Sequence, residues 1–334
     1  MFQTEIHHFF QSFSNEYLNL FMQFLTALGY KEFLMALIAL LMFGIHFKKG
    51  FIFVQILLWT AVITFFAKYY FALPRPFHVD SSLQLLDYYD HGHGVVPFLK
   101  QGAVSFWGLL PTEVTDYYRN SGQFSYGFPS GHTSAAVTVW GGLALLFRKK
   151  WLTYLSIALI ILIPFSRVYL GVHFLADIIG GYILGGIILW ALYQLILKPS
   201  KLEAFLKRNT YTMDFKMALF VFCPILLIPF LPRVAATIPA FMLGFNIVFY
   251  LVASKGLPIN TLNWKPVIGG SALFLFLLGG ILISSKFLAS SINMEGNDVV
   301  RFFRYFVGAS VGMWLTTIVA YKLKWFQKSE NEIG

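Results

Sequence analysis

Ser166-Arg167-Val168-Tyr169-Leu170-Gly171-Val172-His173-Phe174-Leu175-Ala176-Asp177 places a cation, an imidazole and a carboxylate between two long apolar runs, residues 151–166 and 173–197. The flanking runs decide the fold, because apolar stretches of this length read as bilayer-spanning helices. His173 and Asp177 are four residues apart, so a helix opening near Phe174 puts them on one face, within side-chain reach. A carboxylate on one imidazole nitrogen fixes the tautomer and leaves the other nitrogen as base or nucleophile. Arg167 adds a permanent charge with a fork that suits phosphate. In a soluble protein a structural ion pair at a helix start would be the simpler reading. Beside membrane spans ionisable groups are costly, and a working site is the expectation.

The same kind of apolar run recurs along all 334 residues. With 57% hydrophobic and only 12% charged residues, the chain has too few charges to solvate a globular surface of its size. The expected fold class is all-α integral membrane: a bundle of about nine transmembrane helices with an interfacial N-terminal helix. Residues 5–28 mix Phe9, Phe10, Phe13, Phe21 and Phe24 with His7, His8, Glu16 and Gln23, the pattern of a segment lying in the interface. Spans are predicted over residues 33–47, 51–71, 130–147, 151–166, 173–197, 215–231, 234–253, 266–288 and 302–321. Gly181 and Gly185 form a small-xxx-small pair that lets the fifth span approach a neighbour closely. Residues 198–214 form a polar break, which divides a core of residues 1–200 from a four-span extension of residues 201–334.

Alternation of the spans sorts the charges. Fifteen of the 25 basic residues, among them Lys48, Lys49, Arg148, Lys149, Lys150, Lys207 and Arg208, fall on one side, with only four of the 15 acidic ones. By the positive-inside rule that side is cytoplasmic, so the N-terminus lies outside and the C-terminus inside. The net charge of +10 is thus topological, spread among span ends, and does not point to nucleic acid. No basic residue precedes the first apolar stretch, so no cleavable signal peptide is expected. The single cysteine, Cys223, rules out an intramolecular disulfide or a cysteine-based metal site.

Three polar clusters, distant in sequence, fall on the outer side: Lys68 with Arg75-Pro76, Pro129-Ser130-Gly131-His132, and Ser166-Arg167 with His173 and Asp177. Lys68, Arg75 and Arg167 offer three cations to one polyanion. Ser130 and Gly131 open a helix whose first N–H groups suit phosphate oxygens. His132 and His173 provide two imidazoles. Taken singly, each has a plain alternative, such as cations snorkelling to headgroups or Pro129-Ser130 as a mere helix start. It is the joint pattern that singles out phosphate chemistry.

Lys-x6-Arg-Pro, Pro-Ser-Gly-His and Ser-Arg-x5-His-x3-Asp together resemble the signature of the type 2 phosphatidic acid phosphatase superfamily, over roughly residues 30–200. The resemblance implies a helical membrane core and hydrolysis of phosphate esters without a metal or other cofactor. It implies that His173 is the nucleophile that becomes phosphorylated, oriented by Asp177. His132 is then the acid for the leaving oxygen and the base for water, and Lys68, Arg75, Ser130, Gly131 and Arg167 hold the phosphoryl oxygens. A lipid phosphate or isoprenoid diphosphate at the outer leaflet is the expected substrate, and a bacterial inner membrane the expected location. A soluble sugar phosphate, as for glucose-6-phosphatase of the same superfamily, and transfer to a second lipid are the enzymatic alternatives. A transporter that keeps only the phosphate site is the alternative of another class.

Residues 73–127 are too long for an incidental connection and are expected to cap the site, with Val104–Leu110 in the interface. Asp90-His91-Gly92-His93 within it is a weak metal pattern, and the expected chemistry needs no metal. The last four spans contain no evident chemistry. They widen a lipid-facing groove, form a homodimer contact or brace the core, and the residues leave the three open. Asn246 reads as a helix-packing hydrogen bond.

Overall fold

A computed structural model describes residues 1–88, 97–120, 125–231, 233–261 and 263–328. The Asp90-His91-Gly92-His93 pattern lies outside the described residues. The helices are α1 (Glu5–Gln11), α2 (Glu16–Ala27), α3 (Lys31–Ala39), α4 (Phe47–Phe71), α5 (Pro76–Val79), α6 (Thr112–Asn120), α7 (Gly131–Phe147), α8 (Lys150–Tyr169) and α9 (Leu175–Leu192). They continue with α10 (Pro199–Lys207), α11 (Phe215–Leu227), α12 (Thr237–Ala253), α13 (Trp264–Ser291) and α14 (Asp298–Lys322). The chain is an all-α integral membrane protein.

Five stretches are long and apolar enough to cross a bilayer: Phe47–Val79, Lys150–Tyr169, Leu175–Leu197, Trp264–Ser291 and Asp298–Lys322. Glu16–Ala27 and Lys31–Ile45 qualify together as a sixth, broken at residues 28–30. Gly131–Phe147, Phe215–Phe230 and Thr237–Ala253 are apolar but shorter. Most of the α7 side chains are buried, Trp140, Leu143 and Leu146 among them, so protein rather than lipid surrounds this helix along most of its length. The full-span length rule applies to helices that lipid surrounds. The expected interfacial segment is two helices, α1 and α2, and α2 meets the next apolar helix at a 52° bend.

The chain divides into two compact units, residues 1–33 with 63–194, and residues 34–62 with 195–334. In the first, α7 packs between α8 and α9, and α1 and α2 lie on α8. Gly181 and Gly185 explain the closeness of α7 and α9: a Cβ on either would stand within 3 Å of Thr133, Ser130 or Val137 atoms. The long connection folds onto the N-terminus around Phe2, Val79, Ala103, Leu110, Val114, Tyr118 and Phe174. Its apolar piece exposes Val104, Trp107 and Leu109. The second unit is built of α11 on α12, with α14 against both α12 and α13. Phe43 stacks on Phe274, and Phe51 on Phe249.

Asn246 bridges helices as the sequence suggests, accepting from Gln55 Nε2 (2.8 Å) and donating to Phe220 O (3.0 Å). Asn246→Ala removes both bonds from a buried position. It is expected to cost about 1 kcal/mol, read as a lowered thermal midpoint in detergent, with turnover unchanged.

Candidate active site

All eight site residues predicted from the sequence fall in the first unit. The helix expected from His173 begins at Leu175, so His173 lies in the turn before α9. Asp177 sits in the first turn of α9, fully buried. Its Oδ2 accepts from the Phe174 N–H (3.0 Å) and from His173 Nδ1–H (3.0 Å). One carboxylate oxygen thus caps a helix and fixes an imidazole tautomer, leaving His173 Nε2 with its lone pair. Two further contacts hold the turn in place. His7 Nε2–H donates to the His173 carbonyl (2.9 Å), and the Ser130 N–H donates to the Asp177 carbonyl (2.9 Å).

Ser130 is the N-cap of α7 and accepts from the Thr133 N–H (3.3 Å), so the helix opens where the sequence places it. Thr64 and Ser134 hydroxyls pair at 2.9 Å, fixing α4 beside α7. Lys68, one turn further along α4, donates from Nζ to Tyr126 O (2.5 Å) and Gly127 O (3.1 Å). Gly127 is required by close approach: a Cβ would stand 2.8 Å from Asp177 Oδ2 and 3.4 Å from Arg75 Cγ. Arg75 donates through Nε to Ser125 O (3.2 Å), and its backbone N–H donates to His78 Nδ1 (3.2 Å). The His78 ring stacks on Tyr118, whose hydroxyl donates to His78 O (2.9 Å). The long connection therefore positions Arg75 through α6.

Burial, then the charges of Arg75, Lys68 and Arg167, hold the His173 imidazole well below its ordinary pKa of 6.5. It is neutral near pH 7, the state a nucleophile needs. Nearby, burial alone would raise the Asp80 carboxyl, but hydrogen bonds from Ser82, His8 and Thr4 outweigh it and hold the group at about 2. As a carboxylate, Asp80 ties α1 to the start of the long connection through His8 (3.1 Å).

Arg167 is placed differently from an open phosphate clamp. It is buried, and Nη1 donates to Asp87 Oδ2 at 2.6 Å, to Thr26 Oγ1 and to Tyr30 Oη (3.3 Å). His132, in the first turn of α7, has the Tyr30 ring edge-on at 4.7 Å. The buried His132 Nε2 has no hydrogen-bond partner among the described residues. Sequence reading missed His7, Thr26, Gly29 and Tyr30 and left Asp87 as one polar residue in a long loop. Arg167 held a faint signal, since a buried cation in an apolar setting calls for a carboxylate somewhere. Its location had no signal in the sequence, since most of the acids fall on the outer side.

A family model described as the PAP2 superfamily matches residues 49–201. Among curated proteins, a lipid A 4'-phosphatase of Porphyromonas gingivalis is 38% identical over 72 residues, 22% of this chain and 30% of that one. A lipid A 4'-phosphatase of Bacteroides thetaiotaomicron is 34% identical over 85 residues, 25% of this chain and 36% of that one. An undecaprenyl-diphosphatase of Sulfolobus acidocaldarius is 43% identical over 61 residues, 18% of this chain and 29% of that one. The chain spans about a third of the length of the curated relatives it matches. No solved structure matches.

Proposed function

Residues 49–201 carry a PAP2 superfamily domain, and from that premise we propose that this protein hydrolyses a phosphate monoester or a diphosphate ester of a lipid through a phosphohistidine. The observation that carries the reading is the buried His173–Asp177 pair, with the imidazole kept neutral by burial and three cations. Binding alone needs the cations; it does not need an imidazole whose tautomer is fixed by a carboxylate.

His173 Nε2 attacks phosphorus as the ester oxygen departs, and His132 donates the proton that the departing alkoxide takes up. Water then attacks the phosphohistidine, His132 takes its proton, and phosphate and free His173 are released. Lys68, Arg75, Arg167, the Ser130 hydroxyl and the Gly131 amide stabilise the equatorial oxygens, the main task in phosphoryl transfer. The printed names of the relatives all concern lipid substrates, which favours a lipid phosphate over a sugar phosphate. The charge asymmetry supports a site on the extracytoplasmic side with the C-terminus in the cytoplasm, and the bacterial lipid A phosphatases among the relatives favour a bacterial inner membrane. In this reading residues 1–200 are the phosphatase core and 201–334 a C-terminal extension.

Phosphate release from a panel of lipid A, phosphatidylglycerophosphate, phosphatidic acid, undecaprenyl diphosphate and sugar phosphates tests the reading, with His173→Ala as control. Release from none of them, or equal release by the control, ends it. Arg75→Ala is expected to raise KM about tenfold and to lower kcat by a further factor of about 10–100, because the lost charge acts on bound phosphate and on the transition state alike. Michaelis parameters equal to wild type would remove Arg75 from the site.

A further inference from the structure

The first 33 residues precede the stretch that matches the family, yet they touch the two groups proposed to assist His173. We infer that Gly29, Tyr30 and Asp87 are positioning residues for the hydrolysis: Gly29 and Tyr30 seat the His132 ring, and Tyr30 and Asp87 seat the Arg167 guanidinium. The inference rests on the phosphatase reading above.

The two imidazoles are held by different means. His173 has a carboxylate to fix its ring, Asp177 at 3.0 Å. For His132 Nε2 no hydrogen-bond partner stands among the described residues. An acid/base group must still point at the leaving oxygen, and a displacement of about 1 Å in such a group can cost about 100-fold. Contact has to do for His132 what the carboxylate does for His173. The break between α2 and α3 supplies it. A Cβ on Gly29 would stand 2.5 Å from His132 Cδ2 and 3.2 Å from Nε2. The edge of Tyr30 meets the same ring, centroids 4.7 Å apart. The backbone at residue 29 therefore forms one wall of the imidazole's seat, and only a residue without a side chain leaves the ring where it is.

Tyr30 also faces Arg167. Its hydroxyl donates to Asp87 Oδ2 (2.6 Å) and accepts from Arg167 Nη1 (3.3 Å), while Nη1 donates to the same Oδ2 (2.6 Å). The guanidinium carbon lies 5.6 Å from the Tyr30 ring centre. Three groups thus fix the plane of a fork whose direction decides which phosphoryl oxygen it meets. Tyr30 belongs to both seats, so the break in the N-terminal span couples the acid/base imidazole to the phosphate clamp.

The test uses the full chain in nanodiscs and the best substrate of the panel. Gly29→Ala is expected to lower kcat about 10- to 100-fold with KM within about twofold, since His132 acts on proton transfer and not on ground-state binding. Gly186→Ala, where a Cβ meets nothing within 4 Å, keeps wild-type turnover. Tyr30→Phe keeps the ring against His132 and removes the hydroxyl, so KM rises about three- to tenfold with a smaller change in kcat. A merely structural turn would not give opposite splits in adjacent residues. Folded Gly29→Ala with wild-type kcat, or Tyr30→Phe with wild-type KM, overturns the inference. If Gly29→Ala does not fold, Tyr30→Phe and Asp87→Asn decide, by KM and by the shift in thermal midpoint that orthovanadate produces. Wild-type protein that turns over nothing ends the phosphatase reading; the Arg167 seat is then judged by orthovanadate alone, a smaller shift in Tyr30→Phe supporting it and an equal shift overturning it.

Discussion

His173→Ala is expected to lower kcat by at least about 10³-fold while leaving phosphate affinity nearly intact, because the residue forms the bond to phosphorus and does not hold the ground state. The side chain is 2% exposed and, among the described residues, its hydrogen bond is to Asp177, so its removal leaves the cations of the clamp in place. The wild-type pH profile carries the same information in advance. Only the neutral imidazole attacks. The folded-state pKa is held below 6.5 by burial and by Arg75, Lys68 and Arg167, so the acid limb of kcat/KM lies below pH 6.5. Taking away one of those charges, as in Arg75→Ala, moves that limb to higher pH. A variant with wild-type kcat, or an acid limb above 6.5 in the native enzyme, contradicts the assignment of His173 as nucleophile.

The three clusters were legible because they violate their surroundings. Lys68, Arg75, Arg167, His173 and Asp177 are charged or titratable groups at the ends of apolar runs, and the cost of placing them there makes each one visible. That α9 makes a close helix contact was legible from Gly181 and Gly185 in steric form, though not that α7 is the partner. What surrounds the clusters was not. Thr26, Gly29 and Tyr30 are ordinary residues in an amphipathic stretch, with no electrostatic cost to betray them. Asp87 is costly only once buried against Arg167, a partner 80 positions away that no local spacing predicts. The span over residues 16–45 was hard to recognise because its break at residues 28–30 divides one apolar count into two short ones. The break that obscured the span is also what brings Gly29 to His132.

Asp177→Asn is the more discriminating substitution, since it keeps the shape of the side chain and changes one property. Oδ2 now accepts from two donors, the Phe174 N–H and His173 Nδ1–H, each at 3.0 Å. An asparagine has one acceptor oxygen and an NH2 group, and the two positions cannot both be filled as before. If the oxygen stays on Phe174 and His173, charge is lost but the tautomer survives. If the NH2 turns toward His173, Nδ1 must accept, the proton moves to Nε2, and the nucleophilic lone pair is gone. Either way, the positive charge that develops on the imidazole as it takes the phosphoryl group is no longer balanced. The expected loss in kcat is about 10²- to 10⁴-fold with little change in KM, the larger figure belonging to the wrong tautomer. Removing a buried carboxylate among Lys68, Arg75 and Arg167 also leaves their charges less compensated, so phosphate and orthovanadate are expected to bind at least as tightly as in wild type. Weaker orthovanadate binding with unchanged kcat would assign Asp177 to holding the oxyanion site, and would leave His173 without its orienting group.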